Sequence, residues 1–140
     1  MNIVTLSKNF YNCHTNDKEI LKKESRPYTV IIVEVEGLTF AIPFRSHISH
    51  KYAYWTDKDN QCGLDFTKSV VIVPSRDIDK TGVQIRQNEY NAIKGQEYEI
   101  TKKFKSFLNT YRKAYKRQDI KRNRQLIENS ALQYFIALII

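Results

Sequence analysis

Apolar residues recur along this chain with two different periods, and the change from one to the other divides it. From residue 28 the order Tyr-Thr-Val-Ile-Ile-Val-Glu-Val is dense in β-branched residues, and Leu38, Phe40 and Ile42 then alternate with Thr39 and Ala41. With Glu36-Gly37 between them, the two runs predict a β-hairpin whose second strand packs one face and ends at Pro43, which has no amide donor. Residues 1–6 predict a short strand, residues 7–16 a polar loop holding Tyr11, Cys13 and His14, and residues 18–24 a helical turn. Residues 52–55 fit either a strand or a loop, residues 56–63 are polar, and residues 69–73 predict a buried strand closed by Pro74.

From Asn88 onward the period is helical. Residues 89–94 predict a short helix stopped by Gly95. Ile100, Phe104, Phe107, Leu108, Tyr111 and Tyr115 then form one stripe of a longer helix, and Lys102, Lys103, Lys105, Arg112, Lys113 and Lys116 fall largely off it. Such a stripe reads as core, not as a base-stacking platform. Residues 119–128 and 130–137 predict a last helical pair with Ser130 as a cap, docking Leu132, Phe135, Ile136 and Leu138 on the sheet. There is no repeat and no low-complexity linker. The pattern is α+β, a single domain over residues 1–140, long enough to bury about two-thirds of its unfolded surface.

Charge changes this picture more than composition does. The chain carries a formal net charge of +8. Residues 1–80 hold 11 Lys/Arg against 10 Asp/Glu, whereas residues 81–140 hold 12 against 5. Between residues 102 and 124 there are ten basic residues and one acid, Asp119. A merely solvated helix mixes signs, so this stretch predicts a polyanion-binding surface. Cys13 and Cys62 match neither a disulfide scaffold nor a zinc pair spacing, and no metal or other cofactor is expected. No run approaches the roughly 20 apolar residues of a membrane helix, and no leader pattern opens the chain, so a cytoplasmic protein is expected.

Candidate chemistry concentrates in residues 43–52, Pro-Phe-Arg-Ser-His-Ile-Ser-His-Lys-Tyr. His47 and His50 are of the side-chain type that titrates near neutral pH, Arg45 and Lys51 can neutralise phosphate oxygens, and Ser46 and Ser49 can donate hydrogen bonds. Lys68 precedes the buried strand and either reaches the same sheet end or is solvated. RNA carries its own nucleophile, the 2′-hydroxyl, so cleavage needs a base, an acid and stabilisation of the phosphorane's charge. General acid-base catalysis typically supplies about 10²- to 10⁴-fold. The histidines suit the first two tasks, in either order, and the serine and cations the third. A DNA-binding regulator is disfavoured because no recognition helix follows a tight helical turn; a non-catalytic RNA-binding module is the rival that the basic helix alone would satisfy.

Five fragments in order carry a family resemblance: Arg26-Pro27-Tyr28, the strand ending Phe40-Ala-Ile-Pro-Phe-Arg-Ser-His47, His50-Lys51, Gly63-Leu-Asp-Phe-Thr-Lys-Ser-Val-Val-Ile72, and Ser130-Ala-Leu-Gln-Tyr-Phe135. Together they resemble the TenpN/CptN toxins of type III toxin-antitoxin systems, distant relatives of the ToxN and AbiQ toxins. The resemblance implies a metal-independent endoribonuclease that leaves a 2′,3′-cyclic phosphate. It would be restrained by, and would process, a small pseudoknot RNA antitoxin, in a closed protein-RNA assembly used in phage defence or plasmid maintenance. The implied fold is a compact, curved antiparallel sheet, a barrel similar to Kid and MazF, with C-terminal helices.

The resemblance also implies site residues. Ser46 matches the serine of the ToxN branch. Arg45 and Ile48 stand where that branch has threonine and lysine, which leaves Lys51 to take over the phosphate. Tyr11 or Phe10 matches its N-terminal tyrosine, and Arg26 the lysine before its first hairpin strand. The expected catalytic set is Ser46, His47, His50, Lys51 and Tyr11. Arg26, Arg45, Lys68, Lys102, Lys105, Arg112, Lys113, Lys116 and Arg117 are expected to contact RNA.

Overall fold

In the computed structural model, residues 2–22 and 28–140 are described. The first strand and helix are β1 (Ile3–Leu6) and α1 (Lys8–Cys13), followed by β2 (Thr29–Val35), β3 (Leu38–Arg45), β4 (Ala53–Asp57), β5 (Cys62–Asp65) and β6 (Val70–Ile72). Then come α2 (Pro74–Asp77), β7 (Ile78–Lys80), α3 (Gln87–Ile93), α4 (Glu97–Lys116), α5 (Lys121–Asn129) and α6 (Ile136–Ile139). Short 3-10 turns occupy Lys58–Asn60, Phe66–Lys68 and Ala131–Phe135.

The hairpin of β2 and β3 forms as expected. Glu36 and Gly37 both take positive φ, 54° and 78°, the conformation of a two-residue turn whose twist matches its strands. Pro43, however, does not end the second strand: it pairs with Val30, and β3 runs on to Arg45. Counting from the turn-closing pair Val35 and Leu38, hydrogen-bonded and non-hydrogen-bonded pairs alternate, which makes Val30 and Pro43 a non-hydrogen-bonded pair. The missing N–H of Pro43 therefore points to the outer edge of β3. There the partner changes from β6, opposite residues 39–41, to β5, opposite Phe44 and Arg45. At that seam no ladder partner requires the donor.

All pairings are antiparallel, in the order β4-β5-β3-β2-β1-β7, with β6 on the remaining stretch of the β3 edge. Among the described residues β4 and β7 do not pair, so the seven-stranded sheet is open and the expected barrel closure is not seen.

Both faces are covered. Ile31, Val33, Phe40, Ile42 and Phe44 face α4, whose stripe Ile100, Phe104, Phe107, Leu108 and Tyr111 is buried as the sequence predicts. Phe104 meets Phe40 at 4.9 Å between ring centroids. On the other face Val4, Leu6, Val30, Ala41, Val70 and Ile72 pack with Phe10 of α1 and with Ala131.

Four local expectations change. The polar loop over residues 7–16 contains α1: the Ser7 hydroxyl accepts from the Phe10 N–H at 3.1 Å and Phe10 is buried. Residues 18–20 form a turn in place of the expected helical one and residues 21 and 22 have no regular structure; residues 23 and 24 lie outside the described residues. β5 emerges from a stretch read only as polar. Leu138 is exposed, and its neighbour Ile139 is buried instead. Ser130 caps as expected, its hydroxyl accepting from the Leu132 N–H, but on a 3-10 turn. No described helix is long and apolar enough to cross a membrane.

Candidate active site

The end of β3 and the end of β5 bring two opposite charges together. Arg45 pairs in register with Gly63, so Asp65, next but one on β5, presents its carboxylate to the same side. Arg45 Nη1 donates to Asp65 Oδ2 at 2.9 Å. The Asp65 side chain is fully buried, and its Oδ1 also accepts from the Thr67 N–H at 3.0 Å and the Thr67 hydroxyl at 2.6 Å. Burial alone would push the Asp65 carboxyl up. The hydrogen bonds from His50, Thr67 and Arg45 outweigh it and hold the pKa below the usual value.

His50 completes this cluster, and both of its ring nitrogens are in use. The Tyr52 N–H donates to Nδ1 at 3.0 Å, which puts the ring proton on Nε2. Nε2 faces Asp65 Oδ1 at 3.1 Å and Thr67 Oγ1 at 3.3 Å. Because the Thr67 hydroxyl already donates to Asp65, its oxygen accepts from His50. In this arrangement neither nitrogen of His50 has a free hydrogen-bonding position for substrate.

His47 is placed the opposite way. It takes a left-handed conformation, φ 58°, and is exposed; Nδ1 lies 3.1 Å from Ser46 Oγ, and Nε2 has no partner among the described residues. The turn between the two histidines is pinned by Ile48, which is buried and whose N–H donates to the Gln61 carbonyl at 3.1 Å. That plug sends His47 out and His50 in.

Arg45, Ser46 and His47 line a groove of about 750 Å³ together with Tyr28, Arg86 and Glu89. Arg86 Nε donates to Glu89 Oε1 at 2.6 Å, and the guanidinium also contacts the Cys62 side chain, which holds its exposed end at the rim of the groove. The arrangement offers two guanidinium groups, one hydroxyl and one accessible imidazole around an open space. It suits recognition of a phosphodiester and a proton transfer beside it. No family model, curated protein or solved structure matches this chain.

Tyr11 and Lys68 meet in a small cavity of about 20 Å³ that also has Tyr28 and Pro43 in its lining. Tyr28 therefore borders both this cavity and the groove. Burial pushes the Tyr11 phenol up to about 12, against a hydrogen bond with the Tyr28 backbone. Burial also lowers the Lys68 ammonium from its usual value, and its Nζ donates to the Asn129 carbonyl at 2.8 Å. Lys51 is not among the residues lining the groove; its Nζ lies 5.5 Å from the Tyr52 ring centroid. Arg26 lies outside the described residues.

On the basic helix, Lys102, Lys105, Lys113 and Lys116 are exposed along α4. Arg112 is engaged within the fold, donating to the Ile139 carbonyl at 2.6 Å and to Glu36 at 2.8 Å. Arg117 pairs with Asp119 on the surface at 3.2 Å. Among the described residues no three His, Cys, Asp or Glu side chains are placed to hold a metal ion.

Sequence reasoning missed Asp65, Thr67 and Arg86. Asp65 did carry a signal, a lone carboxylate between Leu64 and Phe66 just before a strand. Arg86 carried none, since it stands in a stretch without periodicity.

Proposed function

We propose that this protein is a metal-independent endoribonuclease, the toxin of a type III toxin-antitoxin pair. The observation that carries the reading is the placement of Arg45, Ser46, His47 and Arg86 around one groove, with Nε2 of His47 open to a ligand. In the proposed reaction the RNA 2′-hydroxyl attacks the adjacent phosphorus as it loses its proton. The phosphorane's extra charge falls to Arg45 and Arg86, and the 5′-oxygen leaves and takes up a proton, giving a 2′,3′-cyclic phosphate. Preorganised positive charge at such a site needs no reorganisation during the reaction.

His47 is the acid-base residue of this scheme, with Ser46 orienting its Nδ1. His50 positions: it helps to hold Asp65, which holds Arg45. The partner is a small RNA antitoxin, engaged in part through the exposed lysines of α4, in a closed protein-RNA assembly. The finer fold that accompanies this reading is a Kid- and MazF-like curved sheet.

Purified protein in EDTA, freed of RNA, is expected to cut single-stranded RNA to cyclic-phosphate ends, and His47→Ala to lose that activity while keeping its circular dichroism and melting profile. RNA left intact by the wild type would sink the reading. A second reading, binding of RNA without cleavage, is favoured by Lys102, Lys105, Lys113 and Lys116 alone. It predicts salt-sensitive RNA binding with no products at any pH.

A further inference from the structure

The groove at His47 does not stop at Arg86. It shares Gln84 and Ile85 with a second basin of about 460 Å³, whose lining includes Asn2, Gln87 and Tyr90. The strip between the two is tied to the sheet where the Val83 N–H donates to the Ile3 carbonyl at 3.1 Å. Gln84 and Ile85 follow immediately and face both spaces.

The two ends differ in chemistry. The first is cationic, with Arg45 and Arg86; the second has no charged residue in its lining among the described residues. What it has is an aromatic ring and amides. Tyr90 is 42 % exposed, unlike the buried Phe104, Phe107 and Tyr111 of α4. The Gln87 amide is occupied, donating to Asn91 Oδ1 at 2.8 Å, whereas the side chains of Asn2 and Gln84 have no hydrogen-bond partner among the described residues. Tyr90 stands four residues beyond Arg86, its N–H bonded to the Arg86 carbonyl at 3.0 Å. One such step along a helix is about 6 Å, the scale on which a nucleotide chain passes from a phosphate to a neighbouring base.

Building on the proposed ribonuclease reading, we propose that the second basin is a nucleobase subsite. An unpaired base flanking the cleaved phosphate stacks on Tyr90, and the amides of Gln84 and Asn2 face its hydrogen-bonding edge. The chemistry selects single-stranded RNA, because a paired base can offer neither its face nor its edge to such a site. Among the described residues no cation lines the basin, so it suits a base better than a phosphate. The basin thus sets substrate register: the chain is held by phosphate at Arg45 and Arg86 and by a base at Tyr90.

The test uses the full chain and a fluorescein-labelled 2′-O-methyl octanucleotide, which lacks the nucleophile and is not cut. Tyr90→Ala is expected to weaken binding about ten- to a hundredfold, with the salt slope unchanged, since loss of a stacked base releases no counterion. Tyr90→Phe keeps the ring and is expected to bind as the wild type. Arg86→Ala is expected to weaken binding and to lower the salt slope by about 1. Removing a single base from the oligonucleotide should abolish the Tyr90 effect at one position and no other. If the wild type cuts RNA and Tyr90→Ala binds unchanged, the subsite is overturned and the ribonuclease reading stands. If the wild type neither cuts RNA nor binds the octanucleotide, both fall.

Discussion

His47 and His50 are three positions apart on one loop, yet they sit in opposite chemical situations. His50 is enclosed by Tyr52, Thr67 and Asp65, each partner fixing one hydrogen bond. His47 reaches an open groove with a single hydrogen bond among the described residues, to Ser46. A histidine with every bond satisfied is an element of architecture, whereas one with an open nitrogen is available for proton transfer. The difference arises from Ile48 between them, whose burial turns the backbone so that successive polar side chains diverge.

The comparison is most exposed to failure at His47. His47→Ala should lower the RNA cleavage rate by about 10²- to 10⁴-fold, the range for a lost acid-base group, with no fall in melting temperature. His50→Ala should do the reverse, lowering the melting temperature and reducing cleavage far less. Rates would be followed on labelled RNA in EDTA. If His50→Ala is the inactive, fully stable variant, the assignment of the two histidines is inverted.

Asp65 carries the inward side. Asp65→Ala leaves Arg45 and His50 without their shared acceptor and should cost about 3–5 kcal/mol in urea unfolding, as removal of one member of a buried charge pair does. The wild type should also show a matching acid dependence. Because the folded-state pKa of Asp65 is depressed, its stabilisation is complete above the unfolded value near 3.9 and is lost as pH falls through the folded value. Asp65→Asn should flatten that limb of the stability profile. An unchanged acid limb would remove Asp65 as the anchor of Arg45.

The inward and outward sides share one backbone feature, Gly63. A Cβ there would run into the Tyr54 carbonyl of the neighbouring strand, and backbone cannot swing aside as a side chain can. Gly63→Ala should therefore destabilise by about 1–3 kcal/mol, and because Gly63 pairs with Arg45 it should also raise KM for RNA. A loss of stability with KM unchanged would separate the groove from the β5 anchor and weaken the view that one supports the other.

How much of this was legible in the sequence follows from the range of the interactions that make each part. The hairpin and α4 read correctly because their periods are local and repeat for several turns. β5 did not, since Gly63 and Asp65 are poor strand formers and the strand exists through pairing with β3 and β4 on its two edges. α1 is six residues long with Phe10 as its sole buried residue, too short for a period to show. At the site, Arg45, Ser46 and His47 were visible as a dense polar cluster. The opposite fates of His47 and His50 were not, because they depend on Asp65 and on the carbonyl of Gln61, both far along the chain. Pro43 was misread for a related reason: its effect on pairing depends on which edge its nitrogen faces, a matter of register.

Lys51 belongs to neither side of the comparison, and its substitution gives the smallest expected effect. The resemblance to the TenpN/CptN toxins implied a phosphate-binding lysine there, but the ammonium rests over Tyr52, whose ring packs on Phe107 of α4 at 5.5 Å between centroids. A cation over an exposed aromatic face contributes about 0.5–1 kcal/mol. Lys51→Met keeps the aliphatic stem on the ring and removes the charge. It should shift stability by no more than that amount and lower RNA cleavage less than tenfold, measured at fixed ionic strength so that general screening is constant. Arg86→Met, measured beside it, should show the larger loss, because Arg86 lines the groove and Lys51 does not. A greater than tenfold loss for Lys51→Met would mean that the lysine leaves Tyr52 to meet the phosphate when RNA binds. The loop would then act as a unit, with the outward side extending past Ile48.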